Sequence, residues 1–309
     1  MNILLHFIIL IAGFVLLIKG ADLFVEGASG IAARFGISEL VIGLTIVAMG
    51  TSAPEAAVSI AGAFKGNADI SIGNVLGSNI MNVLVILGIT ATIVTIAVGR
   101  STIRYEMPFM IAVTVLFGAL GLDGVISRID GVILWAAFIV YMIYLFRMAR
   151  NGEADAPEGV KEKPLKIMIP KTIFGVVMIV LGSDFAVDAA SAIAETFGMS
   201  ERFIGLTIVA LGTSLPELAT SVTAARKGNA DIAIGNIVGS NLFNILFVIG
   251  TSSLIIPIRF AESFRTDCLV ALGAAVLLFL CCFRTRQLSR WTGLLMLACY
   301  GVYFAVFLL

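Results

Sequence analysis

The chain has 309 residues, of which 60% are hydrophobic and only 13% are charged, and its mean hydropathy is +1.08. A soluble domain of this length would need far more charge to cover its surface, so the composition indicates an integral membrane protein. The 20 basic and 20 acidic residues cancel, which gives no indication of a nucleic-acid partner. The four cysteines form no CxxC pair and have no histidine cluster beside them, so we expect neither a disulfide framework nor a zinc site.

Apolar windows separated by polar breaks predict an all-α integral membrane fold with ten transmembrane helices. We place these spans at 3–25, 40–64, 70–97, 106–122, 131–149, 168–190, 203–225, 232–257, 267–283 and 290–309. The first stretch lacks the basic start of a cleavable signal peptide, so we take it as a span. Residues 150–166 are the only clearly hydrophilic stretch, and their charge, Gly and Pro predict a linker.

Basic residues are distributed unevenly between the two sets of loops. Those associated with the loops after odd-numbered spans are Arg34, Arg100, Arg104, Arg147, Arg150, Lys161, Lys163, Lys166, Lys171, Arg226, Lys227, Arg284, Arg286 and Arg290. The other side carries Lys65, Arg128, Arg202, Arg259 and Arg265, while Lys19 lies within the first span. Because basic loops stay in the cytoplasm, this bias of fourteen to five predicts a cytoplasmic linker and both termini outside.

An internal repeat is the strongest pattern in the chain. Residues 42–82 read IGLTIVAMGTSAPEAAVSIAGAFKGNADISIGNVLGSNIMN, and residues 204–244 read IGLTIVALGTSLPELATSVTAARKGNADIAIGNIVGSNLFN. The offset is 162 throughout, and 28 of the 41 aligned positions are identical. Each half then contains five helices, an odd number, so the second half enters the membrane from the opposite face. We therefore predict that 1–149 and 167–309 are inverted five-helix repeats joined by 150–166, with a substrate site between them near the bilayer midplane.

A costly carboxylate lies in the first copy, in the string GTSAPE at residues 50–55. Placing an acidic side chain at the centre of a membrane helix costs about 2.5–3.5 kcal/mol on insertion scales. Pro54 has no N–H to donate to the carbonyl of Gly50, so we expect carbonyl oxygens around Ala48 to Thr51 to lack their usual partners. Glu55 would then share one face with hydroxyls and free carbonyls, which are hard oxygen ligands suited to Ca²⁺ or Na⁺.

The second copy, GTSLPE at residues 212–217, supplies the same groups from the opposite direction. A single buried glutamate could carry a proton or tie helices together. If Glu55 and Glu217 only tied helices together, each would need a basic partner. The neighbouring spans carry basic residues only at their ends. Two copies related by inversion favour one shared cation site.

Polar stripes in the third and eighth spans complement the carboxylates. Asn74, Ser78 and Asn82 recur every four residues, and Asn236, Ser240 and Asn244 repeat the spacing. Packing remains an alternative interpretation for Asn74 and Asn236, whereas the deeper members of each stripe favour a ligand role. Glycines at the spacing of 73 and 77, and of 235 and 239, predict close helix approach.

Other polar residues have simpler interpretations. The strings KGNAD at 65–69 and 227–231 predict glycine helix ends and side-chain caps on the following spans. Asp22 and Lys19 are interpreted as a local pair. The glycine-containing first and sixth spans are our candidates for the elements that slide between inward-open and outward-open states.

The paired GTSxPE strings, each followed by GNxxGSNxxN, resemble the alpha-repeats of the calcium/cation antiporter superfamily, and most closely its prokaryotic sodium/calcium exchanger branch. The resemblance implies antiport of Ca²⁺ and Na⁺, bound as substrates and not as cofactors, by a multi-pass protein of the prokaryotic plasma (inner) membrane. Lipid and these ions would be its partners, and we expect it to function as a monomer. By motif position the resemblance implies a cation site formed by Ala48, Thr51, Ser52, Glu55, Ser78, Asn82, Ala210, Thr213, Ser214, Glu217, Ser240 and Asn244.

Two departures from the family pattern refine this expectation. Asn244 lies where some relatives, including potassium-dependent exchangers, carry Asp, so coupled potassium transport is not expected. The large cytoplasmic calcium-sensing insert of animal exchangers is missing. Proton-coupled relatives usually carry GNAxE in place of GTSxPE, which favours sodium but leaves H⁺/Ca²⁺ (or other divalent cation) antiport open.

Two functions of other classes could involve similar residues. A cation channel could use the same ligands, although the inverted repeat and Pro-broken helices favour a carrier. An intramembrane enzyme is disfavoured because His6 is the only histidine, so HExxH zinc chemistry is excluded, and no feature supports an aspartic protease.

Overall fold

The computed structural model describes residues 3–66, 69–151, 164–197, 212 and 214–308. In chain order its helices are α1 (Ile3–Phe35), α2 (Glu39–Thr51), α3 (Ala53–Phe64), α4 (Asp69–Met81, Asn82–Leu87 and Gly88–Ile93), α5 (Thr102–Glu106 and Met107–Leu120, then a 3₁₀ turn Gly121–Asp123), α6 (Arg128–Asn151), α7 (Leu165–Thr196), α8 (Leu215–Arg226), α9 (Ala230–Phe243, Asn244–Ile249 and Gly250–Ile255), α10 (Glu262–Phe283) and α11 (Arg290–Tyr303 and Phe304–Leu308). Four two-residue strands separate some of them: β1 (Ile96–Ala97), β2 (Val125–Ile126), β3 (Ile258–Arg259) and β4 (Gln287–Leu288).

The helices have the length and composition of membrane spans. Among the described residues, α1, α4, α5, α6, α7, α9 and α10 are each long and apolar enough to cross a bilayer. The pair α2 and α3, bent by 51°, makes a broken span or a re-entrant loop, and α11 is a shorter apolar helix. An all-helical membrane architecture is therefore confirmed. The count of ten remains a prediction, since residues 198–211 and 213 lie outside the described part of the chain.

Proline breaks the second span where the repeat motif begins. Ser52 separates α2 from α3 with φ −85° and ψ 9°, and Pro54 stands in the first turn of α3, where its missing N–H costs no helical hydrogen bond. The same arrangement recurs at the start of α8, where Ser214 has φ −94° and ψ 3°. Each copy thus places its glutamate in the first turn of a helix that starts within the bundle.

Helices α4 and α9 form the centre of the bundle. In their most apolar stretches, 78% and 94% of the residues are buried, against 17% for α1 and 28% for α7. Gly239 lies so close to α2 that an added Cβ would come within 2.8 Å of Leu44 and Ala48, and Gly235 approaches Leu40 similarly. The predicted close approach is confirmed at these two glycines. The repeat offset predicts that Gly73 and Gly77 contact residues around 202–210, which lie outside the described residues.

The strand pairs repeat at the offset of 162. Strand β1 pairs antiparallel with β4, with Ile96 opposite Leu288, and β2 pairs with β3, with Ile126 opposite Ile258. Adding 162 to Ile96 and subtracting it from Leu288 converts the first pair into the second. Short strands were not predicted, and the third predicted span ends at Ile93 instead of residue 97.

Two span boundaries also differ from the prediction. Helix α1 continues to Phe35, ten residues beyond the predicted end, and stops where Gly36 adopts φ +61°. Its polar residues are accommodated by pairing, as in the ion pair of 3.0 Å between Glu26 and Lys171 of α7. Helix α5 begins ahead of the predicted residue 106, so Glu106 is buried within it.

Candidate cation-binding site

Most of the predicted site residues meet in the interior of the bundle. Thr51, Ser52 and Glu55 lie at the break between α2 and α3, Ser214 and Glu217 at the start of α8, Ser78 and Asn82 on α4, and Ser240 and Asn244 on α9. Each of these side chains is at most 5% exposed, and Ala48 is fully buried. Ala210 and Thr213 lie outside the described residues.

Buried oxygen atoms without a hydrogen-bond partner are concentrated here. Among the described residues they include both carboxylate oxygens of Glu55, one of Glu217, the side-chain carbonyls of Asn82 and Asn244, and the hydroxyl of Ser214. A buried oxygen acceptor without a partner is costly, and ordered structures rarely retain one without a functional reason. These are hard oxygen atoms, the type of ligand that Na⁺ and Ca²⁺ prefer.

The two carboxylates lie within electrostatic range of each other, and no basic residue of the described chain neutralises them. The hydroxyl of Ser52 donates to Oε1 of Glu217 at 2.8 Å, which links the two repeats directly. Two ionised carboxylates in a low-dielectric interior repel each other and remain unsolvated. A bound cation would remove both penalties.

One prediction about the backbone carbonyls is wrong. The carbonyl of Ala48 is not left without partners, because it accepts the N–H of Ser52 at 3.0 Å and lies 3.3 and 3.4 Å from the hydroxyls of Thr51 and Ser240. Pro54 removes only the bond to Gly50, four residues earlier, whereas Ser52 still follows Ala48 at helical spacing. Coordination of an ion by Ala48 would require the two hydroxyls to turn away.

Asn74 and Asn236 hold the backbone at the glutamates. Asn74 donates to the carbonyl of Glu55 at 3.2 Å and to Ser59 at 2.9 Å. Asn236 makes the equivalent bonds to Glu217 at 3.4 Å and to Ser221 at 3.0 Å. These amides therefore position the helices that carry the carboxylates, which is closer to the packing interpretation than to a ligand role.

Sequence reasoning missed Asn79 and Asn241. Each donates its side-chain N–H to the backbone carbonyl of the other at 3.2 Å, across the interface between α4 and α9. Their side-chain oxygens accept from the amides of two predicted ligands, Asn244 onto Asn79 at 3.1 Å and Asn82 onto Asn241 at 2.9 Å. With each ligand's N–H engaged by the opposite repeat, its carbonyl oxygen is left for a cation. The neglected signal was an invariant asparagine in both copies of the repeat, lying off the four-residue stripe.

The predicted pairing of Asp22 is also wrong. Asp22 pairs with Lys227, Oδ1 to Nζ at 3.0 Å, and not with Lys19. Asn229 is the N-cap residue of α9 but makes no side-chain capping bond, and its amide donates to Ser29 of α1 at 2.5 Å, while Asp231 lies in the first turn as its predicted interaction with the helix dipole requires. The expected glycine helix ends are confirmed at Gly66 and Gly228, with φ of +82° and +84°. The four cysteines are free thiols in the structure.

Comparison with known proteins identifies the family of the chain. The family model described as sodium/calcium exchanger protein matches residues 5–147 and 171–309. The sodium/calcium exchanger MaX1 of Methanosarcina acetivorans is 34% identical and covers 98% of this chain and 99% of its own length, and the inner membrane protein YrbG of Escherichia coli is 36% identical over 90% and 89%.

A solved structure of the sodium-calcium exchanger NCX_Mj, soaked with Na⁺ and without Ca²⁺, superposes with a TM-score of 0.86 at 32% identity and covers 99% of both chains. This family comprises membrane transporters and not enzymes, and its members take Na⁺ and Ca²⁺ as transported substrates. On these matches, the chain belongs to the sodium/calcium exchanger family.

Proposed function

We propose that the chain is a secondary active antiporter that exchanges Ca²⁺ for Na⁺ across the membrane by alternating access. The observation that carries the proposal is the group of unpartnered buried oxygens around Glu55 and Glu217. MaX1 and NCX_Mj are named as sodium/calcium exchangers, which supports sodium as the coupling ion.

Charge balance at the two glutamates explains why exchange is obligatory. Two ionised carboxylates neutralise one Ca²⁺ or two Na⁺, so the two kinds of ion compete for the same pair. An empty site would leave two uncompensated charges in a low-dielectric interior, which makes reorientation of the empty carrier unfavourable. The loaded protein therefore changes state more readily than the empty one.

The proposed ligands are the twelve predicted residues, with distinct contributions. Asn82 and Asn244 offer side-chain carbonyls whose orientation is set by hydrogen bonds from their N–H groups. Thr51 donates its single hydroxyl hydrogen to one of its neighbours and retains lone pairs for a cation. The repeat assigns Ala210 and Thr213 the roles of Ala48 and Thr51, and Ser78 and Ser240 complete the shell.

The proposed topology has ten spans in two inverted five-helix repeats. The strand pairs β1–β4 and β2–β3, which interconvert at the repeat offset, support it. The basic residues on the linker side support a cytoplasmic linker with both termini outside, in a prokaryotic plasma membrane. We propose that one copy of the chain suffices, because both halves of the site come from it.

Calcium flux in proteoliposomes under imposed sodium, potassium or proton gradients tests the function. We expect a sodium gradient to drive calcium uptake, with no response to potassium. Calcium movement driven by protons and not by sodium would identify H⁺/Ca²⁺ antiport instead, and single-channel currents would identify a channel.

Glu55→Gln and Glu217→Gln test the site itself. Each removes one charge from the pair, and we expect calcium flux to fall at least about a hundredfold, since loss of one partner in a buried charge arrangement costs about 3–5 kcal/mol. Glu262→Gln is the matched control, because that side chain is 94% exposed. Near-normal flux in either glutamine variant would contradict the proposed site.

A further inference from the structure

Three arginines form a basic cavity on the linker side of the bundle. Arg104 lies in the first turn of α5, Arg100 lies four residues earlier, just ahead of that helix, and Arg147 lies near the end of α6. Together with Ser101 and Tyr144 they line a cavity of about 590 Å³. All three arginines are exposed, and no carboxylate of the described residues pairs with them.

An apolar groove continues from this cavity. It has a volume of about 460 Å³, shares Arg104, Tyr105 and Tyr144 with the cavity, and is lined further along by Phe109 and Val140. Phe109 is one turn beyond Tyr105 on α5, and Val140 is one turn before Tyr144 on α6, so the groove runs from the arginines toward the membrane interior. Val140 is 62% exposed, which places the open side of the groove toward lipid.

The groove contains one carboxylate, Glu106, which is too buried to neutralise the positive charge of the arginines at the groove's mouth. Glu106 lines the groove but is only 1% exposed, and its Oε1 accepts a hydrogen bond from Tyr144. At the mouth, the guanidinium of Arg104 lies 5.6 Å from the ring centre of Tyr105, which is half-exposed. Aromatic and basic residues in this combination are typical of the membrane–water interface.

We propose that this cavity and groove together bind one anionic phospholipid, with its phosphate among the three arginines and an acyl chain along the groove. Two like charges four residues apart at the start of a helix repel each other, and an anion between Arg100 and Arg104 removes the repulsion. A basic pocket between helices that opens onto lipid is suited to an anionic headgroup more than to a zwitterionic one.

Lipid binding to delipidated protein, counted by native mass spectrometry, tests the proposal without any transport assay. We expect phosphatidylglycerol to bind at least about tenfold more tightly than phosphatidylcholine with the same acyl chains. The triple variant Arg100→Gln, Arg104→Gln, Arg147→Gln should weaken this binding on the order of a hundredfold, at about fivefold per arginine. Arg284→Gln with Arg290→Gln, two exposed arginines on the same side, is the matched control and should bind as the unaltered protein does.

A second variant tests the groove. Val140→Trp adds bulk at an exposed position without altering the core, and we expect it to weaken phosphatidylglycerol severalfold. Glycerol phosphate, which has the headgroup charge but no acyl chain, should not displace the lipid at equal concentration. Equal binding of the two phospholipids, unaltered binding by the triple variant or by Val140→Trp, or displacement by glycerol phosphate would each overturn the proposal.

Discussion

Side-chain contacts at the centre of the bundle occur in both copies of the internal repeat, whereas an ion pair at its edge occurs in only one copy. At the centre, each hydrogen bond of Asn79 and Asn82 has a counterpart made by Asn241 and Asn244 at the offset of 162. At the edge, Lys227 pairs with Asp22, whereas their counterparts Lys65 and Asp184 form no ion pair in the described structure. The two carboxylates lie at symmetric positions but make different hydrogen bonds. Ser52 donates to Glu217, whereas Ser214 and Glu55 make no equivalent bond.

If the chain works by the proposed alternating access, this difference predicts which contacts change during transport. In an inverted repeat, alternating access exchanges the conformations of the two halves, so a contact that is already symmetric can persist in both states. A contact present in only one half must break as its counterpart forms. On the proposed mechanism we therefore expect the asparagine cluster of residues 79, 82, 241 and 244 to form a fixed part of the protein, and the contacts of α1 with residues 227–229 to belong to a moving part.

The largest expected effect comes from locking the edge. In a background without the four native cysteines, Ser29→Cys with Asn229→Cys places two thiols where an amide now lies 2.5 Å from a hydroxyl. Because α1 could no longer leave residues 227–229, we expect oxidation to abolish calcium flux while calcium binding persists and reduction restores transport. Flux in proteoliposomes and calcium binding by calorimetry are the measurements.

The control for this cross-link joins strands β2 and β3, whose pairing has its counterpart in β1 and β4 and is therefore expected to persist in both states. Val125→Cys with Arg259→Cys bridges directly paired positions of β2 and β3. Its oxidation should leave most of the flux intact. If both cross-links abolish flux, or neither does, the division into fixed and moving parts is wrong.

A smaller effect is expected at the centre. Asn79→Ala removes the acceptor that orients Asn244, and Asn241→Ala does the same to Asn82. A lost buried hydrogen bond costs about 1–3 kcal/mol, so each variant should weaken calcium binding by roughly tenfold to a hundredfold. Because the centre is symmetric, the two losses should agree within about threefold, and a clear inequality measured by calorimetry would contradict that symmetry.

Local chemistry was predictable from the sequence, and partner choice was not. The roles of Glu55 and Pro54 can be predicted from one short string. A carboxylate in lipid and a proline inside a helix each have a known energetic cost that does not depend on distant residues. The bonds of Asn79 to Asn241 and of Lys227 to Asp22 join residues 162 and 205 positions apart, and only the packing of α4 against α9 and of α1 against the 227–229 turn selects them. Lys19 lies at a helical spacing from Asp22 that would allow a pair, but Asp22 pairs with Lys227 of the other repeat instead.

The smallest effect tests the ion pair at the edge. The side chains of Lys227 and Asp22 are 36% and 41% exposed, so their pair stabilises the present state by only about 0.2–1 kcal/mol. Lys227→Met should therefore shift the population away from the present state by up to about fivefold, seen as a changed labelling rate of a cysteine introduced on the linker side. Lys65→Met is the matched control at the equivalent position. Because Lys65 forms no ion pair here, Lys65→Met should leave the population of the present state unaffected or raise it slightly. The same shift in both variants would mean that the loop charge, and not the ion pair, sets the population.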